Sequence, residues 1–177
     1  IDAEFTRGMA KNAQAQQMTA EKLEVARKAA HTIAMFSAFM FPPIAMLLLG
    51  VVIWIVSKFF DAKQTMNSAI VVAVFSYVPR VIEGVVNRVE GLLIDTSNLN
   101  SRYSLTLGLG RFFDPDTASP IVLGLVGRID VFTIWITVLI AIGVAVTGKI
   151  SRGKAAIAAA IVWLIGALPT LASALRS

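Results

Sequence analysis

Ser76, Arg80, Glu83, Asn87 and Glu90 recur at steps of three and four residues, the spacing that lines one face of an α-helix. A stripe of this composition supports two chemistries. Glu83 and Glu90, flanked by a guanidinium and an amide, are the parts of an ion or proton path, because carboxylates exchange protons and coordinate small cations. The same groups also suit internal bonding: an Arg80–Glu83 pair locks the helix to a neighbour or snorkels to the membrane surface. The second use is the leading reading. The opposite face, Val81, Val85, Val89 and Leu92, is wholly apolar.

Other residue types that do chemistry are sparse. His31 is the one histidine and stands alone where a charged segment meets an apolar one, so it reads as an interfacial residue. Asp114 and Asp116 sit in an Asp-Pro-Asp turn, where solvation explains them better than a cation does. Gly108 and Gly110 form a bare Gly-x-Gly with no strand before it and no Lys-Ser/Thr ending, which makes a phosphate loop a poor reading. Cysteine is absent, which removes thiolate catalysis, disulfides and Cys-based metal sites. With no acid/base pair or nucleophile in view, the expectation is no enzyme, no cofactor and no metal.

Hydrophobic residues make up 56% of the chain and charged residues 15%, too apolar a balance for a soluble domain with a polar shell. The net charge of +5 comes from Lys and Arg at the ends of apolar runs, with no basic stripe among stacking aromatics. That pattern is expected of helix-end anchors and argues against nucleic acid as a partner.

Four apolar runs carry the fold. Thr19-Ala20-Glu21-Lys22 starts a juxtamembrane helix, with Thr19 as N-cap and Leu23, Ala26, Ala30 and Ile33 at helical spacing; Gln14, Gln16 and Gln17 lie in a loosely ordered lead-in. Residues 33–60 give roughly 28 apolar positions where a bilayer needs about 20, with a kink or break expected at Pro42-Pro43. A second span starts near Thr65 and passes Pro79 into the charged stripe. Residues 95–120 are rich in turn formers, and 103–126 make either a fifth segment or a re-entrant piece.

Arg128-Ile129-Asp130 then marks a boundary before the span 131–147, which ends in the basic turn 148–154 and a last span over 155–175. Small residues at Ala141, Ala145, Gly143 and Gly148 on one helix, and at Ala156, Ala160, Gly166 and Ala167 on the next, let two backbones approach as an antiparallel hairpin. Arg128 and Asp130 are candidate partners for the stripe if both lie at one depth. The fold class is therefore all-α: a polytopic helical membrane protein with four to five segments, a cytoplasmic juxtamembrane part at 1–31 and a membrane domain at 32–177.

The run Arg128-Ile129-Asp130-Val131-Phe132-Thr133-Ile134-Trp135, then Leu139, Ala141-Ile142-Gly143, Gly148-Lys149, Ser151-Arg152-Gly153-Lys154-Ala155 and Trp163, resembles the bacterial branch of the Yip family, and Ser76-Tyr77-Val78-Pro79 fits the family's Ser/Tyr-then-Pro element. These are multi-span membrane proteins named for interaction with Ypt/Rab GTPases in eukaryotes. The resemblance spans about 33–175 and implies five membrane segments, a cytoplasmic N-terminus, a role in organising membranes or partner proteins, and no catalytic residues. Rab binding does not carry over to a bacterial-type chain.

Lys22, Arg27 and Lys28 favour the cytoplasm for the N-terminus, and Lys149, Arg152 and Lys154 favour it for the last turn; both hold if residues 103–126 add one crossing. The functional expectation is a scaffold or accessory subunit in a bacterial inner membrane, bound to lipid and to other membrane proteins in a large complex or homo-oligomer. A small transporter or channel using Arg80, Glu83 and Glu90 is the alternative.

Overall fold

A backbone in hydrocarbon has no water to bond, so long apolar runs satisfy their peptide groups as helices. The computed structural model describes residues 20–93, 107–113 and 118–174, and helices account for most of them. In chain order they are α1 (Ala20–Lys58), α2 (Met66–Ser76), α3 (Val78–Leu93), α4 (Pro120–Val126), α5 (Val131–Gly148) and α6 (Arg152–Ala174), with a 3-10 turn at Leu109–Phe112. Thr19, Gln14, Gln16, Gln17, residues 95–98, Tyr103, Asp114 and Asp116 lie outside the described residues.

Among the described residues four helical stretches are long and apolar enough to cross a membrane: 21–58, 66–90 through α2 and α3, α5, and 152–172 of α6. Their outward side chains confirm the solvent. Phe75 is 71% exposed and Val146 71%, positions that water would penalise and lipid does not.

The helix α1 continues through Pro42-Pro43, so of the kink or break expected there the break is excluded. Proline's fixed φ is compatible with a helix and its cost falls on the bonds to Ala38 and Phe39, while the apolar sequence on both sides has no alternative to helix in lipid. Contacts divide the chain after Ala45 into two units. The first is the exposed start of α1, charged early with Glu24 and Lys28 paired at 3.0 Å and apolar later. The second, from Met46 on, is the helical bundle.

The bundle core is built from Ile53 and Val56 of α1, Ala69, Val72 and Ala73 of α2, Ile140 and Val144 of α5, and Ala155, Ala158, Ala159 and Val162 of α6. On α6 these fall at i, i+3, i+4 and i+7, so Ala160 is turned outward and exposed. The expected hairpin of α5 and α6 is therefore present, with Ala141, Ala145 and Ala167 turned inward as expected and Ala155, Ala158 and Ala159 in place of Ala156 and Ala160. Gly143 packs on α2, where a Cβ would meet Val72 Cγ1 at 2.5 Å, and Gly50 packs on the Ile70 Cα, where a Cβ would stand 2.7 Å away. Backbone approach of this closeness is how helices associate where hydrophobic drive is absent.

Local caps set the breaks. Thr65 accepts the Ser68 N–H at 3.2 Å and opens α2. Pro79 cannot bond Phe75, and the chain tightens instead, with Arg80 N–H donating to the Tyr77 carbonyl at 2.9 Å. Asp130 caps α5, and Lys149, left-handed at φ 54, ends it. Lys63 donates its N–H to the Gly148 carbonyl at 2.9 Å, so the α1–α2 turn and the α5–α6 turn share one end of the bundle. The crossing expected within 103–126 is not found among the described residues of that interval, where α4, with seven residues, is too short to supply one.

Gly143→Ala tests the backbone approach. We expect a loss of about 1–3 kcal/mol from overpacking on Val72, read as a lower unfolding midpoint in detergent. Combining it with Val72→Ala is expected to restore most of that loss, and a double variant no better than the single one contradicts the assigned contact.

Candidate intramembrane polar site

The charged face of α3 turns inward and its valines turn out. Val81, Val85 and Val89 are 63%, 59% and 50% exposed, whereas the Arg80 and Glu83 side chains are 33% and 16% exposed. Arg80 Nη1 donates to Glu83 Oε2 at 2.6 Å, one helical turn away. Its other nitrogen, Nη2, donates to Thr133 Oγ1 on α5 at 2.9 Å. The Thr133 hydroxyl in turn donates a hydrogen bond to Asp130 Oδ2, and the Thr133 N–H donates to Asp130 Oδ1 at 2.8 Å. Both Asp130 and Thr133 are buried.

The geometry follows from α5's start. Asp130 is extended, as an N-cap must be, and its carboxylate answers orphan donors of the first turn while its charge sits at the positive end of the helix dipole. The segment before it is pinned too. Gly108 pairs with Asp130 as an isolated bridge, and a Cβ on Gly108 would meet the Asp130 Cβ at 2.8 Å. Leu109 N–H donates to the Ile129 carbonyl at 3.0 Å, so the 107–113 piece holds the capping residue in place.

Arg128 lies on the α6 side. Its guanidinium is 5.9 Å from the Trp163 ring centre, and a Cβ on Gly166 would stand 2.9 Å from its Nη2. Gly166 thus makes room for a cation. Burial, then the nearby charge of Arg80, pushes the Arg128 guanidinium below its ordinary value, and Asp130 draws it back up. Arg128 Nε, Asn87 Oδ1 and Glu90 Oε2 are buried without a hydrogen-bond partner among the described residues.

A second polar contact sits at the other end. Thr147 donates to Gln64 Oε1 at 3.0 Å, and a Cβ on Gly148 would press on Ala62 at 2.9 Å. Lys58 Nζ donates to the Gln64 carbonyl at 3.2 Å and lies 5.6 Å from the Trp54 ring centre.

Of the residues singled out in the sequence, Arg80, Glu83 and Asp130 meet in one network, Arg128 flanks it, and Asn87 and Glu90 continue the α3 face beyond it. Gly143, Gly148 and Gly166 mark close approaches to Val72, Ala62 and Arg128, and Ala160 is exposed. Thr133, the bridge, was not singled out. Its signal is the Asp-x-x-Thr spacing of a helix start. Gln64 and Thr147, 83 positions apart, give no such signal. Among the described residues no group of three or more His, Cys, Asp or Glu is placed to hold a metal ion.

A family model described as the Yip1 domain matches residues 6–173. No curated protein and no solved structure matches the chain.

The network predicts an order of stability among variants. Asp130→Ala removes cap and acceptor together and is expected to cost more than the roughly 1 kcal/mol of an isolated N-cap, with Asp130→Asn in between. A double-mutant cycle of Asp130→Asn with Arg80→Gln, followed by unfolding in detergent, is expected to show coupling of about 0.5–3 kcal/mol. Strict additivity would mean that Thr133 does not connect them.

Proposed function

The chain belongs to the Yip1 domain family, and from that premise we propose that it acts within the membrane as a non-enzymatic scaffold or accessory subunit of a larger assembly. The observation that supports this best is the closure of the charged face. Arg80 is held at once by Glu83 and by the Thr133–Asp130 cap, so these side chains spend their bonding capacity inside the chain. Groups engaged in this way join helices; a conducting path needs groups that exchange partners with water or ions. Its partners are then other membrane proteins, in a hetero-complex or a homo-oligomer, met through the exposed apolar faces.

We place the chain in a bacterial cytoplasmic membrane with the shared end of the two turns facing the cytoplasm. That end carries Lys58, Lys63, Lys149, Arg152 and Lys154 against Asp61, and basic residues favour the cytoplasmic side. The competing expectation, a cytoplasmic N-terminus, rests on Lys22, Arg27 and Lys28, which alternate with Glu21 and Glu24. Labelling of single cysteines at Lys22 and Lys149 from each side of the membrane reads both positions.

One observation favours the transporter or channel reading: Asn87 Oδ1 and Glu90 Oε2 are buried acceptors with no donor among the described residues. The two readings part in one pair of measurements. Gentle extraction from the native membrane is expected to yield a stoichiometric partner or a self-assembled form, and the purified chain in liposomes is expected to pass no ions. A monodisperse chain that conducts alone, and stops conducting on Glu83→Gln with its stability intact, replaces the scaffold with the channel.

A further inference from the structure

We propose that the groove between α5 and α6 binds one anionic diacyl phospholipid, with an acyl chain along the groove and the phosphate on the first turn of α6. The groove has a volume of ≈ 520 Å³ and is lined by Ala141, Ile142, Ala145, Val146 and Ala156, with Arg152 as its charged member. That size is within the range of small-molecule sites, and an apolar trough with one cation is complementary to a chain that ends in a phosphate. The alanines on both helices create it. They are small where the flanking positions are Ile and Val, so the surface dips along the seam.

The start of α6 carries the charge. Like α2, α3, α4 and α5 it has no acid in its first turn, and it alone among the described helices opens on two cations, Arg152 and Lys154. Two cations at the positive end of a helix dipole repel it, and an anion seated between them relieves the conflict. The site is open to one: Arg152, Gly153 and Lys154 are exposed, and a Cβ on Gly153 would meet nothing within 4 Å. Among the described residues neither Arg152 nor Lys154 has an ion pair.

Charge balance selects the headgroup. Lys149 and Lys63 are exposed at this end, while Lys58 is turned onto Gln64 and Trp54, and Asp61 is the one acid nearby in sequence. A phosphate carrying a choline brings a further cation to a cationic surface, whereas one carrying a neutral glycerol does not. The proposal is independent of the scaffold reading, since a channel would keep the same groove.

Native mass spectrometry of the full chain tests it, from micelles holding phosphatidylglycerol and phosphatidylcholine in equal amounts and with identical acyl chains. One phosphatidylglycerol is expected to be retained with about tenfold preference, the ratio that one charge-assisted contact supports. Arg152→Gln and Lys154→Gln are each expected to reduce that preference severalfold. Ala145→Phe, which fills the groove and leaves every cation in place, is expected to reduce retention of both lipids. Inorganic phosphate added in millimolar excess is expected to leave the bound lipid in place; its displacement by phosphate shows a headgroup-only site and overturns the groove assignment. Equal retention of the two lipids by the unaltered chain, or unaltered preference in both charge variants, overturns the proposal. An Ile142→Cys variant that oxidises to a dimer assigns the groove to a second copy instead and overturns it as well. The charge variants lie at exposed positions, and an unfolding midpoint measured for each variant, Ala145→Phe included, keeps every result on folded protein.

Discussion

Asp130 is the residue on which the bundle's interior depends. One carboxylate caps α5 and fixes the Thr133 hydroxyl as a donor to itself and an acceptor to Arg80. A charge at low dielectric is costly unless answered, so each of these contacts is required by the others. Without the cap, Thr133 would be free to rotate. Arg80 would then keep Glu83 alone, a contact within one helix that joins nothing.

Lipid explains why the joining has to be polar or very close. Between helices surrounded by hydrocarbon, apolar side chains gain little by meeting one another, and association rests on packing and on interhelical hydrogen bonds. The bundle uses both in turn along its length. Arg80–Thr133 ties α3 to α5 near one end, Gly143 lies against Val72 in the middle, and Thr147–Gln64 closes the other end beside Gly148. The α5 helix takes part in all three. It is the shared wall of the structure, and its 18 residues are nearly the minimum for a span.

How much of this was legible in the sequence depended on whether the signal was local. The spans, the Thr65 start of the second, the boundary at Asp130 and the inward face of α3 all follow from periodicity and capping within a few residues, and the structure agrees with each. The resemblance carried by residues 128–155 likewise led to the family. What failed was long-range or depended on helix phase. Ala160 differs from Ala159 by one residue, about 100° around α6, which is enough to move it from seam to surface. The contact of Lys63 with Gly148 fixes which turns share an end, and nothing in either turn announces it. At Pro42-Pro43 the missing donors did not break the helix, because the apolar run on both sides has no water to bond to.

The sign of amphipathy in α3 separates what specifies this interior from what specifies a soluble one. In water, a helix alternating valines with Arg, Glu and Asn would bury its valines and solvate its charges. Here Val81, Val85 and Val89 are outside and Arg80 and Glu83 are inside. Apolar faces in lipid are interchangeable and carry little information about which neighbour to meet. Hydrogen-bonded charges do carry it, because a misplaced partner leaves a group unanswered. The register of α3 against α5 is thereby fixed by donors and acceptors, and the outward valines remain free for lipid or for another membrane helix. A protein organised in this way has its most selective contacts inside and its least selective surface outside.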